Sequence, residues 1–571
     1  MVGFGGWRRG HQPRAGRLGL ALVGISLALG LALGPGQAIA PPPDFTLTPD
    51  LGEFSRVWPY DLGDITLTQS GVAVDTLPLP LTGTIALPAG AAPVPWVVVL
   101  HGRHAGCHFQ PDGISAWPCA PEPRFDRGFA YLAQALAEAG YGVIMPNLNA
   151  AFTETYGATA VTRNELADQR SGQIIDAHLT RLAQAHRGDQ VGFDLPLMGR
   201  VDLARLAMVG HSMGGGAAAL SAIRRATAAE AIATGLGPIA ALVLVSPTRS
   251  YPMAQRPDAY QLPDVPTVVM AGGCDRDIFD LSSLYYVEMA RQQPRTTPVL
   301  GLLLPGANHN FFNAAVAEDD YYRQPDHGSL CDPQRSRDRL SRVAQENFLA
   351  QYTQAFLRTV WSAAGDAALA EVGMAPHRAA PRELLGQPVL TTLVSPKTQR
   401  YTVFQAENAP AARLTPGLKA TLCKPLTDCQ PSLRPYPHFP ALLTLGWEAA
   451  PESLQVPLEG VDASRFSSLE LRLAPDRSWA WPQGQPVFAV VLRDQQGGAA
   501  RVEIPSTVPA LRQFEPDPTH GYTAPLYPSS LRIPLGQFAG VDLAAVTSVE
   551  IVFDQAAQGR LHLASIEFVG R

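Results

Sequence analysis

The 571-residue chain is poor in charge: only 16% of its residues are Asp, Glu, Lys or Arg, and the net charge is −6. No Lys/Arg run stands out after residue 20, so a nucleic-acid partner has no electrostatic footprint. After the N-terminal region no apolar stretch reads as a membrane span. Short-period repeats and coiled-coil heptads are also missing. What is present is apolar material, 46% of residues, in a chain too long for one compact core. The expectation is a globular protein of two or more domains, with 52 prolines marking many turns and extended segments.

The N-terminus reads as a targeting segment. Arg8, Arg9, Arg14 and Arg17 precede the uncharged run Leu18 to Leu33, and small residues follow up to Ala38-Ile39-Ala40. Residues 1–40 are therefore expected to be a signal peptide, cut after Ala38 or Ala40. An uncleaved anchor is the alternative. The six cysteines (107, 119, 274, 331, 423 and 429) fit disulfides in an exported chain. Local spacing favours Cys107–Cys119 and Cys423–Cys429, which leaves Cys274–Cys331.

Residues 41–60 read as an extended, proline-rich lead-in, and 62–88 alternate apolar and polar residues like antiparallel edge strands. From PWVVVLHG onward the pattern changes to short continuous apolar runs separated by helical segments. These runs are YGVIMPNL, LARLAMVG, IAALVLVS, VPTVVMAGG and PVLGLLLPG. Strands alternating with helices predict a doubly wound, mostly parallel sheet over 41–363. Residues 364–395 read as a linker. Over 396–571 the helical pattern stops, and short strand runs with turn signals predict an all-β sandwich.

Gly210-His211-Ser212-Met213-Gly214 is a G-x-S-x-G sequence set between a strand and a helix. That setting is what a nucleophile elbow requires, with small residues two places from the serine because strand and helix backbones crowd there. A serine hydroxyl needs a base. His309, in LLLPGANHNFFN after the last parallel strand, occupies the expected slot, and His327 is its nearest rival. The acid that orients the imidazole should follow VPTVVMAGG, where Asp275 is favoured over Asp277. Two backbone N–H groups should form the oxyanion hole: Met213, directly after the nucleophile, and Arg103 in the loop after PWVVVL, with His104 next in line. His101, His104, Cys107 and His108 also have the density of a metal cluster, but a Cys107–Cys119 bridge would consume the thiolate, so neither metal nor cofactor is expected. Glu318-Asp319-Asp320 is expected to be a solvated loop rather than a calcium site.

These residues resemble the α/β-hydrolase superfamily over about residues 62–362. The run Gly210 to Gly216 looks like the elbow of its dienelactone-hydrolase, cutinase-like and platelet-activating-factor acetylhydrolase branch. The resemblance implies Ser212 as nucleophile, Asp275 as acid and His309 as base. HGRHAGC and GANHNFFN are similar to segments of exported bacterial hydrolases. A Cys274–Cys331 bridge would tie the acid loop to the segment after the histidine, and comparable bridges occur among polyester hydrolases. The stretch between Asn147 and the elbow, and the segment 311–335, depart from the pattern. In the tail, IPLGQFAGVDLAAVTSVEIVFD and GRLHLASIEFVG resemble galactose-binding-like jelly-roll modules. Trp447, Trp479 and Trp481 would then either stack on sugar rings or, the favoured reading, fill the core or a domain interface.

The expectation is an exported hydrolase, secreted or periplasmic, that cleaves carboxylic esters through a Ser-His-Asp triad. Its tail would contact polysaccharide or the cell envelope. A peptidase or amidase on the same scaffold, and a non-catalytic glycan- or envelope-binding protein, are the alternatives.

Overall fold

The computed structural model describes residues 49–65, 79–104, 106–107, 109–110, 113–114, 117–152, 160–226, 237–248, 260–320, 331–332, 336, 338–362, 365–424, 440–476, 479, 481, 484–512 and 527–570. The expected signal peptide, residues 66–78 of the alternating run, His108, His327 and Cys429 lie outside them.

A nine-stranded mixed sheet organises the first two thirds of the chain. Its strands are β1 (Val57–Ile65), β2 (Leu79–Ala86), β3 (Val94–Leu100), β4 (Gly142–Pro146), β5 (Val201–His211), β6 (Ile239–Val245), β7 (Thr267–Gly272), β8 (Val299–Leu304) and β9 (Leu390–Val394). In space they run β1-β2-β4-β3-β5-β6-β7-β8-β9. The stretch from β4 to β8 is parallel throughout, and β1, β2 and β9 are antiparallel additions at the edges.

Burial follows that order. The edge strand β1 mixes buried and exposed residues, whereas β4 and β7 are buried along their whole length. A parallel sheet requires this, because its crossover helices cover both faces. Those helices are α1 (Ala130–Glu138), α2 (Ala160–Arg187), α3 (Met213–Arg224), α4 (Tyr285–Gln292) and α5 (Arg342–Trp361). Along β3, Trp96, Val98 and Leu100 enter one apolar cluster with residues of α2, α3 and α4, while Val97 and Val99 enter the other with α1 and α5. The period-2 geometry of a strand produces this division.

The segment 364–395, expected as a linker, carries the short helix Asp366–Glu371 and ends in β9. β9 pairs with β8 from Val299↔Val394 to Leu303↔Leu390, and its buried pattern fits a strand inside the fold.

The C-terminal region is antiparallel β. β10 (Arg400–Gln405), β11 (Lys419–Cys423), β12 (Leu442–Trp447), β14 (Ser468–Pro475), β17 (Ser529–Pro534) and β19 (Gly559–Val569) form one sheet. β13 (Glu452–Val461), β15 (Pro486–Asp494), β16 (Ala499–Pro505) and β18 (Val546–Phe553), with the two-residue strand Arg413–Leu414, form the other. Both sheets supply one apolar cluster, including Leu445, Leu471 and Leu563 from the first and Phe488, Val549 and Phe553 from the second. Trp447 lies in that core, with its Nε1–H donating to Ala556 O at 2.9 Å and its ring 4.2 Å from Phe553. Trp481 stacks on Trp447 at 5.7 Å and Trp479 meets Trp481 edge-on.

Buried ion pairs join the two regions. Arg472 of β14 makes a bidentate contact with Glu288 of α4, and Arg291 pairs with Glu567 of β19. Removing one partner leaves the other charge buried and uncompensated. Arg472→Ala is therefore expected to lower stability by about 3–5 kcal/mol, read as a lower urea midpoint. The paired replacement Arg472→Met with Glu288→Leu should recover most of it, and an unchanged midpoint in the single variant would contradict the assignment.

Candidate active site

Four loops converge at the C-terminal ends of the parallel strands, the edge of an open α/β sheet where ligands bind. Ser212 stands between the last residue of β5 and the first of α3, at φ 56° and ψ −128°. A serine pays conformational energy at positive φ, and such positions cluster at functional sites. Its N–H donates to Val245 O at 2.9 Å, which fixes the turn against β6. The flanking glycines are sterically required. A Cβ on Gly210 would lie 2.4 Å from Gly214 O, and one on Gly214 would lie 2.4 Å from His101 O. The elbow thus presses on the end of β3, and Gly102 abuts Ser212: a Cβ there would stand 2.6 Å from Ser212 Cβ.

His309 and Asp275 meet on the loops after β8 and β7. The imidazole Nδ1 lies 2.9 Å from Asp275 Oδ2, both side chains being buried. Asp275 Oδ1 accepts the N–H groups of Asp277 at 3.0 Å and Ile278 at 2.6 Å. Burial opposes ionisation of Asp275, but the His309 charge and these hydrogen bonds outweigh it and hold the carboxyl below its ordinary range. Burial likewise opposes the imidazolium. Asp275 above all, with Asp277 and Asp320, reverses that and raises the His309 pKa to about 9. His211 links this pair to the elbow, its Nε2–H donating to His309 O at 3.0 Å and its ring 4.6 Å from that of His309.

Asp277 is placed differently from Asp275. Its side chain is 70% exposed, and its carboxylate faces the other ring nitrogen, 3.5 Å from His309 Nε2. Asp277→Asn removes a negative charge that favours the imidazolium, so the titration of the His309 ring, followed by NMR, should move to lower pH. A titration that stays in place or moves to higher pH would contradict the contact.

Arg103 lies in the loop that follows β3, one residue beyond Gly102, and Met213 opens α3. The loop is held by His101. Its Nε2 accepts the Leu148 N–H at 2.7 Å, so Nδ1 carries the proton and donates to Gly102 O at 2.7 Å. In a trans peptide the carbonyl and the following N–H point opposite ways, so fixing Gly102 O also fixes the Arg103 N–H. Burial, the largest influence, lowers the His101 pKa and keeps the ring neutral. His104 packs on Phe125 with ring centroids 4.2 Å apart.

Cys107 is bridged to Cys119 and Cys274 to Cys331. Cys423 is also disulfide-bonded, and its expected partner Cys429 lies outside the described residues. Among the described residues no group of three or more His, Cys, Asp or Glu side chains is arranged to hold a metal ion.

One expectation is corrected. Asp319 and Asp320 are not a solvated loop. Asp319 is paired with Arg339 at 2.7 Å and accepts Asn308 Nδ2 at 2.9 Å. Asp320 accepts the backbone N–H groups of Arg276, His309 and Asn310. Sequence reasoning also missed Gln345 of α5, which bonds both the N–H and the C=O of Asn308. Acidic and amide side chains far along the chain are free to satisfy loop backbone, and nothing local in the sequence marks which of them do.

No protein-family model and no curated protein matches the chain.

Proposed function

We propose that the chain is an exported serine hydrolase of the α/β-hydrolase type, carrying a jelly-roll-like tail, that cleaves carboxylic esters. The observation that carries this reading is an elbow serine at positive φ and a buried His309–Asp275 pair, joined by the His211–His309 hydrogen bond and all at strand C-terminal ends. Ser212 Oγ attacks the ester carbonyl carbon while its proton passes to His309 Nε2. Asp275 holds Nδ1–H and stabilises the imidazolium. The Arg103 and Met213 N–H groups stabilise the oxyanion, His101 fixing the first through Gly102 O. Collapse breaks the C–O bond, and the leaving alcohol takes the proton from His309. Water then attacks the acyl-enzyme by the same steps and releases the acid and free Ser212.

Export is supported by the two described disulfides, which persist in oxidising compartments. No helix among the described residues is long and apolar enough to cross a membrane. Glycan contact through the tail draws less support, because Trp447 is committed to the core.

The test is turnover of short p-nitrophenyl esters before and after reaction with a fluorophosphonate. Turnover that disappears in step with labelling supports the reading. Amide turnover exceeding ester turnover would move it to a peptidase, and glycan binding without labelling would move it to a binding protein.

A further inference from the structure

Beyond the elbow, the pair and the oxyanion loop, the geometry points to Asp320 as a positioning residue that laces the acid loop to the histidine loop and so holds His309 against Asp275. This rests on the reading of Ser212 as the nucleophile and His309 as its base.

The need for such a residue follows from how β7 and β8 separate. Past the strand ends their pairing continues, with Gly273 N–H donating to Leu304 O and Cys274 N–H to Ala307 O, both at 2.8 Å. Beyond that rung the loops are joined through the Asp275 and His309 side chains. The next backbone groups brought near are the N–H groups of Arg276 and His309. Both are donors, so they cannot bond each other, and a buried N–H without an acceptor is costly.

Asp320 resolves the mismatch. Its Oδ2 accepts Arg276 N–H at 2.9 Å and His309 N–H at 3.2 Å, and its Oδ1 accepts Asn310 N–H at 3.1 Å. One carboxylate thereby spans from the residue after the acid to the base itself. Hydrogen bonds to an ionised acceptor are about twice as strong as neutral ones.

Asp320 is itself anchored. Its neighbour Asp319 is gripped by Arg339, whose Nη1 also donates to Gly306 O at 3.0 Å. Gln345 clamps Asn308 from α5. These contacts brace the histidine loop from behind, and Asp320 extends the brace across to the acid loop. Burial and the Asp275 carboxylate raise the Asp320 pKa to about 6, so an assay at about pH 8 examines its ionised form.

The experiment compares Asp320→Ala and Asp320→Asn in the full chain at about pH 8, with a short p-nitrophenyl ester and with backbone amide exchange over the loops at 273–280 and 306–313. The alanine variant should lose about 10- to 100-fold in kcat with KM within about twofold, because misplacing a base by an ångström has costs of that order. Its Arg276 and His309 amides should exchange about 10-fold faster or more. Asparagine keeps an oxygen between Arg276 and His309 and should recover most of kcat, with faster exchange confined to Asn310. An alanine variant with wild-type kcat, alanine and asparagine variants equally impaired, or unchanged exchange would each overturn the assignment. If the alanine variant does not fold, exchange in the asparagine variant decides, and no change at Asn310 overturns it. Were the wild type itself to lack ester turnover, the hydrolase reading would fall, while amide exchange would still decide whether Asp320 joins the loops.

Discussion

Ser212→Ala is expected to reduce kcat on short esters by about 10,000- to 1,000,000-fold while leaving KM nearly unchanged. The reason is local. In the proposed reaction Ser212 supplies the bond-forming oxygen, whereas the groups assigned to stabilise charge are backbone N–H groups on neighbouring loops. The methyl of alanine fills the space of the serine Cβ, so contact with Gly102 and the elbow turn is retained. Residual catalysis would come from the oxyanion donors acting on water. Steady-state rates with a matched thermal melt check the result. A loss below about tenfold, in a variant that melts like the wild type, would remove Ser212 from the chemistry.

Asp275→Asn is expected to cost about 10,000-fold in kcat, and Asp277→Asn far less. Asp275 is buried, accepts two backbone N–H groups on Oδ1 and faces His309 Nδ1 through Oδ2. With Oδ1 committed to those N–H groups, an asparagine there points its NH₂ at Nδ1. That favours the tautomer protonated on Nε2, the nitrogen that accepts the serine proton in the proposed reaction. Asp277 is largely exposed and meets the Nε2 side, so its replacement alters the charge around the base without changing which nitrogen is free. The two variants measured side by side distinguish the roles. Loss confined to Asp277→Asn would reverse the assignment of the acid.

The parts of this architecture that were legible beforehand are those with a local cause. Continuous apolar runs mark β3 to β8 because a parallel sheet buries both faces. Gly210, Ser212 and Gly214 stand out because a strand-to-helix turn this tight admits little else. Cys107–Cys119 follows from short spacing. What was not legible depends on chain segments that meet only after folding. Residues 390–394 are a short β-branched run between prolines that names no partner, and their place beside β8 is decided by tertiary pairing. Arg472 and Glu288 are unremarkable charges in sequence, yet they meet in the buried contact between the parallel sheet and the tail. Asp320 looked solvated because acidic runs usually are, and its partners are backbone N–H groups whose positions no side-chain pattern encodes. His101 was readable as a possible ligand, but its clamp on Gly102 O required Leu148, 47 residues away, to be in place.

The most direct measurement is reaction of the native protein with a fluorophosphonate, followed by mass mapping of the adduct. The expected result is one equivalent incorporated on Ser212, in step with loss of ester turnover, with labelling strongly slowed in Asp275→Asn and absent in Ser212→Ala. No incorporation by the folded protein, or an adduct on another residue with turnover intact, would contradict the account.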